Sequence, residues 1–344
     1  MEKRELGKTG IAVSPLMFGG NVFGWTIDEA SSFKLLDAFT DAGLNFIDTA
    51  DVYSRWKPGN QGGESETVIG NWFKQSGKRD KVVLATKVGK DMGDGKIGLS
   101  AKYIKQAVEA SLKRLQTDYI DLYQSHDDDQ NTPFAETLKA YQDLIKEGKV
   151  RVIGASNYKV DRLAEALQVS ASNDFPAYQT LQPEYNLYQR QDYETNLEGL
   201  CLERELGVVP FFSLASGFLT GKYRSEADFN KSKRGGGMVK YLNPRGFKIL
   251  DALDQVSSQY KTSQAAVALA WLIARPSITA PIASATSLEQ LHELISATEL
   301  KLSNEAIEIL NEASAYWKKA GGKQSIFVIL SEAKNLTPMH YRPA

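Results

Sequence analysis

Eight short apolar runs recur along the chain, each followed by a segment of helical periodicity, and this alternation constrains the fold more than any other feature. The runs are PLMF (15–18), NFID (45–48), KVVLATK (81–87), YIDLYQ (119–124), VRVIGAS (150–156), AYQTLQ (177–182), GVVPFF (207–212) and SITAPI (277–282). Most are continuous rather than alternating, as expected of strands covered on both faces. Between them, Ile104, Ala107, Val108, Ser111, Leu112 and Leu115 recur at spacings of three and four, placing one apolar stripe against a sheet. Segments 28–42, 64–75, 133–146, 159–168 and 192–206 read similarly. So do 262–274, capped by Thr262 or Ser263, and 287–298, capped by Ser287. Eight strand-then-helix units predict an α/β fold of the (β/α)8 TIM-barrel type in one domain, residues 1–319. A doubly wound sheet would require a G-x-G-x-x-G turn after an early strand, and none stands at such a junction.

Three regions depart from the repeat. Residues 3–13, turning at GKTG, predict an N-terminal β-hairpin ahead of the barrel. The GKT within it lacks the glycine that a phosphate loop needs five residues before Gly7, where Glu2 stands. The stretch 213–247, after the seventh barrel strand, is a long connection without clear periodicity, the kind that serves as a lid or binding loop. The tail 320–344, with its apolar IFVIL, has no place in an eight-fold count.

A formal net charge of -1 implies no overall pull toward nucleic acid or anionic lipid. The single cysteine, Cys201, follows Leu197 and Leu200 at helical spacing and is expected in the core. The charged start MEKRELGKTG has no signal-peptide core, and AAVALAWLIA is too short to span a membrane. A soluble, cytoplasmic protein without a membrane partner is expected; the oligomeric state is open.

Active sites of parallel barrels sit at the C-terminal ends of the strands. Those positions hold Asp48 and Tyr53 after the second barrel strand, Lys87 closing the third and His126 just beyond the fourth. Singly, each is an ordinary solvated strand end or loop residue. Together they form a proton-delivery set. A phenol is a reluctant acid at neutral pH, and a neighbouring ammonium is expected to lower its pKa. Asp48 would anchor that ammonium, and His126 could hydrogen-bond a carbonyl oxygen as negative charge develops on it. The adjacent HDDD (126–129) is not read as a metal site, because consecutive side chains point in different directions and no second histidine is near. Trp25 and Trp56, in loops after the first two barrel strands, either anchor those loops or wall the substrate.

NFIDTADVY, LATKVG, DLYQSH, VIGASNY, LQPEYN and GFLTGKY, in this order, resemble the aldo-keto reductases, over roughly residues 3 to 312. The resemblance implies NAD(P)H-dependent reduction of a small-molecule aldehyde or ketone, with Asp48, Tyr53, Lys87 and His126 as the catalytic four. It also implies a dinucleotide held across the barrel mouth without a Rossmann fold. Ser156, Asn157 and Gln182 match the nicotinamide carboxamide contacts. Phe211 stands in place of the commoner stacking tyrosine. Leu214, Gly217, Thr220, Gly221 and Lys222 match the stretch over the pyrophosphate. Ser284 and Gln290 occupy adenosine-phosphate positions where many relatives carry Lys and Arg, so a modest preference for NADP(H) over NAD(H) is expected. Some proteins similar to this family are regulatory subunits of membrane channels, and that is the alternative reading.

Overall fold

A computed structural model describes residues 1–316, of which Met1–Ser314 form one compact unit. The expected tail 320–344 and the domain limit at 319 lie outside the described residues.

The chain opens with an antiparallel hairpin, β1 (Arg4–Glu5) and β2 (Ala12–Val13), pairing Arg4 with Val13. Then come β3 (Met17–Gly19), α1 (Glu29–Asp41), β4 (Phe46–Asp48), α2 (Glu64–Ser76), β5 (Val83–Val88) and α3 (Ala101–Leu115). They are followed by β6 (Ile120–Ser125), α4 (Phe134–Lys146), β7 (Val150–Ser156), α5 (Val160–Asn173) and β8 (Thr180–Gln182). Next are α6 (Glu198–Arg204), β9 (Gly207–Val208), α7 (Pro244–Tyr260), α8 (Gln264–Ile273), β10 (Ile282–Ala283), α9 (Leu288–Ser296) and α10 (Asn304–Ala313).

The last eight strands form one parallel sheet in the order β10-β3-β4-β5-β6-β7-β8-β9. Its two edges meet. Ile282 N–H donates to Pro210 O at 2.9 Å and Thr279 N–H to Val208 O at 2.8 Å, which closes the barrel. Each of the eight predicted strand segments overlaps an observed strand, SITAPI only at Ile282. The caps behave as read: Ser263 and Ser287 accept from the third residue beyond, as do Ser100 and Ser303.

The core has two layers, set by the two-residue period of a strand. Met17, Phe46, Val83, Ala85, Leu122, Val209 and Ile282 fill the barrel interior, joined by Leu6, Ile11 and Val13 of the hairpin. Ile47, Leu84, Val88, Tyr123, Ile153, Ala155 and Leu181 face outward into the helices. Cys201 is buried as expected, and burial pushes its thiol up to about 12.

Two differences from the sequence reading are local. The helix expected over 192–206 begins with a π-helical turn, Tyr193–Leu197, before α6. The connection 213–247 holds short 3-10 turns at Ala215–Thr220, Glu226–Lys231 and Gly235–Tyr241, and its last residues already belong to α7. That helix starts where Asn243 accepts from Gly246 N–H at 3.0 Å with Pro244 in the first turn, a start signal legible in LNPRG.

Candidate active site

The alternation that packs the barrel also loads its mouth. On β4 the inward residues are Phe46 and then Asp48; on β5 they are Val83, Ala85 and then Lys87. On β6, Gln124 follows Leu122 on the same face; on β7 and β8, Ser156 and Gln182 close the strands. The inward rows of β4, β5 and β6 run apolar and end polar. Asp48, Lys87, Gln124, Ser156 and Gln182 are all buried.

These ends converge on Tyr53. Its hydroxyl donates to Asp48 Oδ2 at 2.9 Å, and Lys87 Nζ donates to the same hydroxyl oxygen at 2.8 Å. Lys87 Nζ also reaches Asp48 Oδ2 at 2.8 Å and Oδ1 at 2.7 Å, and the Thr49 carbonyl at 2.8 Å. Gln182 Nε2 holds the other side of Asp48, donating to Oδ1 at 3.0 Å. The turn carrying Tyr53 is fixed by Tyr53 N–H to Ala50 O at 3.2 Å and by Ser54 Oγ to Phe23 O at 2.6 Å. His126 is pinned through its backbone, by N–H to Val88 O at 2.8 Å and by Asn157 Nδ2 to its carbonyl at 2.9 Å. Its ring centroid lies 6.0 Å from that of Tyr53, and its buried Nδ1 has no protein partner.

The electrostatics differ from expectation at one point. Burial, reinforced by the Asp48 carboxylate, holds the Tyr53 phenol well above its ordinary range. Lys87 therefore does not lower the phenol below that range in this state, because desolvation of the anion outweighs the ammonium's attraction. Burial also lowers Lys87, while Asp48 pulls it back up. Burial and the charges of Lys87 and Lys90 keep His126 neutral, well below the usual imidazole range.

Of the residues expected to meet a dinucleotide, Ser156 and Gln182 end β7 and β8, and Ser284 follows β10. Ser156 Oγ donates to Gln182 O at 3.0 Å, and Asn157 sits beside it with φ 59°. Phe211 is half-buried with its ring 5.1 Å from that of Phe212. From Phe212 to Gly221 the backbone turns repeatedly through positive φ, at Phe212, Ala215, Ser216, Gly217 and Gly221. Such turns present backbone N–H groups together, the arrangement that cradles phosphates. Lys222 reaches back toward Gly217, and Thr220 Oγ1 donates to Gly217 O at 2.8 Å. Ser284 Oγ bonds Asn21 Oδ1 at 2.7 Å, and Gln290, in the first turn of α9, accepts from Thr286 N–H at 2.9 Å. Leu214 precedes the first 3-10 turn. Residues of this chemistry fit an extended dinucleotide.

Trp25 and Trp56 come together edge-on at 5.5 Å, and Trp56 meets the Tyr53 ring at 6.0 Å. The carboxylates of HDDD disperse: Asp127 pairs with Lys90, Asp128 with Arg162, and Asp129 accepts from Leu99 N–H. Sequence reasoning missed Gln124 and the Thr49 carbonyl. Gln124 was legible as the next inward position after Leu122 in YIDLYQ; a backbone acceptor carries no sequence signal.

A closed parallel barrel with this mouth falls in the class of NAD(P)H-dependent oxidoreductases. The chain belongs to the aldo-keto reductases: the profile of the Aldo/keto reductase family matches residues 15–315. It is 38% identical to Uncharacterized oxidoreductase YrpG of Bacillus subtilis (strain 168), over 91% of this chain and 95% of that one. It is 33% identical to aldo-keto reductase YhdN of the same organism, over 90% and 93%. It is 31% identical to a probable voltage-gated potassium channel subunit beta of Arabidopsis thaliana, over 87% and 92%. Among the described residues no helix is long and apolar enough to cross a membrane.

Proposed function

We propose that this barrel reduces an aldehyde or ketone to the alcohol with Tyr53 as the proton donor. The observation that carries this reading is the meeting of the Lys87 ammonium, at 2.8 Å, and the Asp48 carboxylate, at 2.9 Å, on the oxygen of one half-buried phenol. A bound nicotinamide dinucleotide supplies hydride chemistry. This chain's residues do the rest. Tyr53 holds its proton until the carbonyl oxygen gains negative charge and becomes the stronger base. Lys87 then stabilises the phenolate left behind, and Asp48 keeps Lys87 charged against the cost of burial. Neutral His126 can donate one imidazole N–H to the carbonyl oxygen, orienting it.

Ser156, Asn157 and Gln182 would hold the nicotinamide carboxamide, and Phe211 would stack on its ring. Leu214, Gly217, Thr220, Gly221 and Lys222 would carry the pyrophosphate, and Ser284 and Gln290 the adenosine end. Trp25 and Trp56 would wall the substrate. With hydroxyl and amide groups where a 2′-phosphate would find cations, the preference for NADPH is modest. Arg224 adds little, since its guanidinium holds both oxygens of Asp254 at 2.8 Å. The test is a screen of aldehydes, ketones and sugars with each reduced cofactor. Absence of turnover on every carbonyl would overturn the reading. The likeness to a potassium channel subunit favours a second one, a dinucleotide-binding regulatory subunit. Stable co-purification with a membrane channel, together with negligible turnover, would establish it instead.

A further inference from the structure

Between the loops that follow β4 and β5 and one face of α3 lies a cavity of about 480 Å³. It shares no residue with the proposed catalytic, dinucleotide or substrate sets. On its inner side stands Asp51, which is 2% exposed, with neither carboxylate oxygen bonded to any described residue. The Tyr123 hydroxyl, close enough to feel the Asp51 charge, is likewise buried without a partner. Buried carboxyl groups normally find donors. Here the chain supplies none, and the group lines an open space.

The charges around Asp51 are committed elsewhere. Glu66, from α2, accepts from Thr86 Oγ1 at 2.6 Å and from Arg114 Nε at 2.7 Å, so Arg114, from α3, is neutralised by it. Lys87, on β5, is held by Asp48 and Tyr53. Burial raises the pKa of the Tyr103 phenol, from α3, and keeps it neutral. On the exposed side of the cavity, Lys96 leans on Asp94 at 4.0 Å, whereas Arg55 meets no carboxylate among the described residues. The cavity therefore offers a paired acceptor at depth and a cation at its rim. A guanidinium or ammonium group suits the first, since a carboxylate accepts two parallel N–H groups. A carboxylate suits the second. Met92, Ala107 and Ala110 provide apolar surface for the stem between them. A metal ion does not fit, because no group of three His, Cys, Asp or Glu among the described residues could hold one.

We propose that this cavity is a second ligand site, separate from the barrel mouth, for a small zwitterion such as a basic amino acid, with its cationic group on Asp51 and its carboxylate on Arg55. Binding there is linked to a proton. Burial, helped by Glu66, raises the Asp51 pKa to about 8, so at pH 7 the carboxyl carries a proton that passes to solvent as the cation docks. The test is calorimetric titration of the full chain with L-arginine and L-lysine, with agmatine, which lacks the carboxylate, and with citrulline, which lacks the cation. At least one of the two amino acids should bind, releasing close to one proton at pH 7, read from buffers of different ionisation heat. Its Kd should tighten by about tenfold or more from pH 6 to 8. Citrulline should bind about tenfold more weakly or worse, and agmatine about two- to fivefold more weakly than arginine. Asp51→Asn should weaken the amino acid by about tenfold or more and abolish the proton release. Ala110→Trp, which fills the cavity, should remove binding. No binding of either amino acid up to about 10 mM would leave the cavity to water and overturn the proposal. So would binding without proton release, or binding that survives both Asp51→Asn and Ala110→Trp. If neither variant folds, proton release and the pH dependence of Kd in the native protein decide.

Discussion

The ammonium of Lys87 lies 2.8 Å from the hydroxyl oxygen of Tyr53, a residue 34 positions earlier in the chain. On the proposed reading, this pair is what lets the phenol act as an acid in this barrel. Before transfer, burial keeps the proton on Tyr53. In the proposed transfer the anion would form directly against a charge held in place by Asp48 and by the Thr49 carbonyl. The ammonium would therefore act on the state after transfer more than on the resting one.

Tyr53→Phe removes the proton and little else. Carbonyl reduction is expected to fall in kcat by about 10² or more, with the fold and cofactor affinity kept. Near-normal turnover in a sample verified by mass would take Tyr53 out of the mechanism.

Lys87→Met keeps the length and removes the charge. Reduction should drop sharply, and alcohol oxidation at least as much, since oxidation needs the phenolate that Lys87 stabilises. In the native protein, reduction should stay flat from about pH 6 to 8. Over that range Tyr53 keeps its proton, and His126, displaced far below the ordinary imidazole range, remains neutral. A profile of log kcat/KM that breaks near the usual histidine pKa would show His126 titrating and contradict this.

For the cofactor, kcat/KM is expected to favour NADPH over NADH by about one to two factors of ten, or about 1.4 to 2.8 kcal/mol. Gln290→Arg should widen the gap by adding the missing charge in the first turn of α9. Measured at fixed salt, a preference above about a thousandfold would mean that an unassigned cation reaches the 2′-phosphate.

Asp51 gives a stability prediction with a definite sign. It is buried, neither carboxylate oxygen has a protein partner, and it lines a cavity of about 480 Å³ with Arg55, Tyr103 and Arg114. Burial, helped by Glu66, raises its pKa from 3.8 to about 8. Between those values the folded protein holds a proton that the unfolded chain releases, so this group's contribution declines as pH rises toward 8. Asp51→Asn should flatten that slope and raise stability at pH 8 to 9 by about 1 kcal/mol or more. Denaturant titrations showing the same slope in both proteins would refute it.

At Gly70, on α2, a methyl group would run into the backbone of Arg114 and Leu115 at the end of α3. Gly70→Ala is expected to cost about 1 to 3 kcal/mol despite alanine's better helix propensity. A melting temperature at or above that of the native protein would show that the two helices can part freely.

The strands and most helices were legible because their signals are local. Apolar runs, three-and-four spacing and serine caps act over a few residues, and α9 begins at Ser287 as read. The inward polar row was legible in part: Asp48 and Lys87 stood out as charges at strand ends, while uncharged Gln124 did not. Helices α7 and α10 went unassigned, since the first is entered from an irregular loop and the second follows the last predicted unit.

By itself the sequence determined the eight-fold repeat, the apolar stripes of the helices, and the chemical types placed at the strand ends. Those follow from periods of 2 and 3.6 residues and need no knowledge of distant neighbours. Only the tertiary structure decided how these groups behave. Closing the barrel brings Asp48, Tyr53 and Lys87 onto one oxygen, and the resulting burial, which no local pattern reports, sets Tyr53 high and His126 low. It alone placed Arg234 over Trp25, because the path of a long loop depends on the surface it packs against rather than on its own residues.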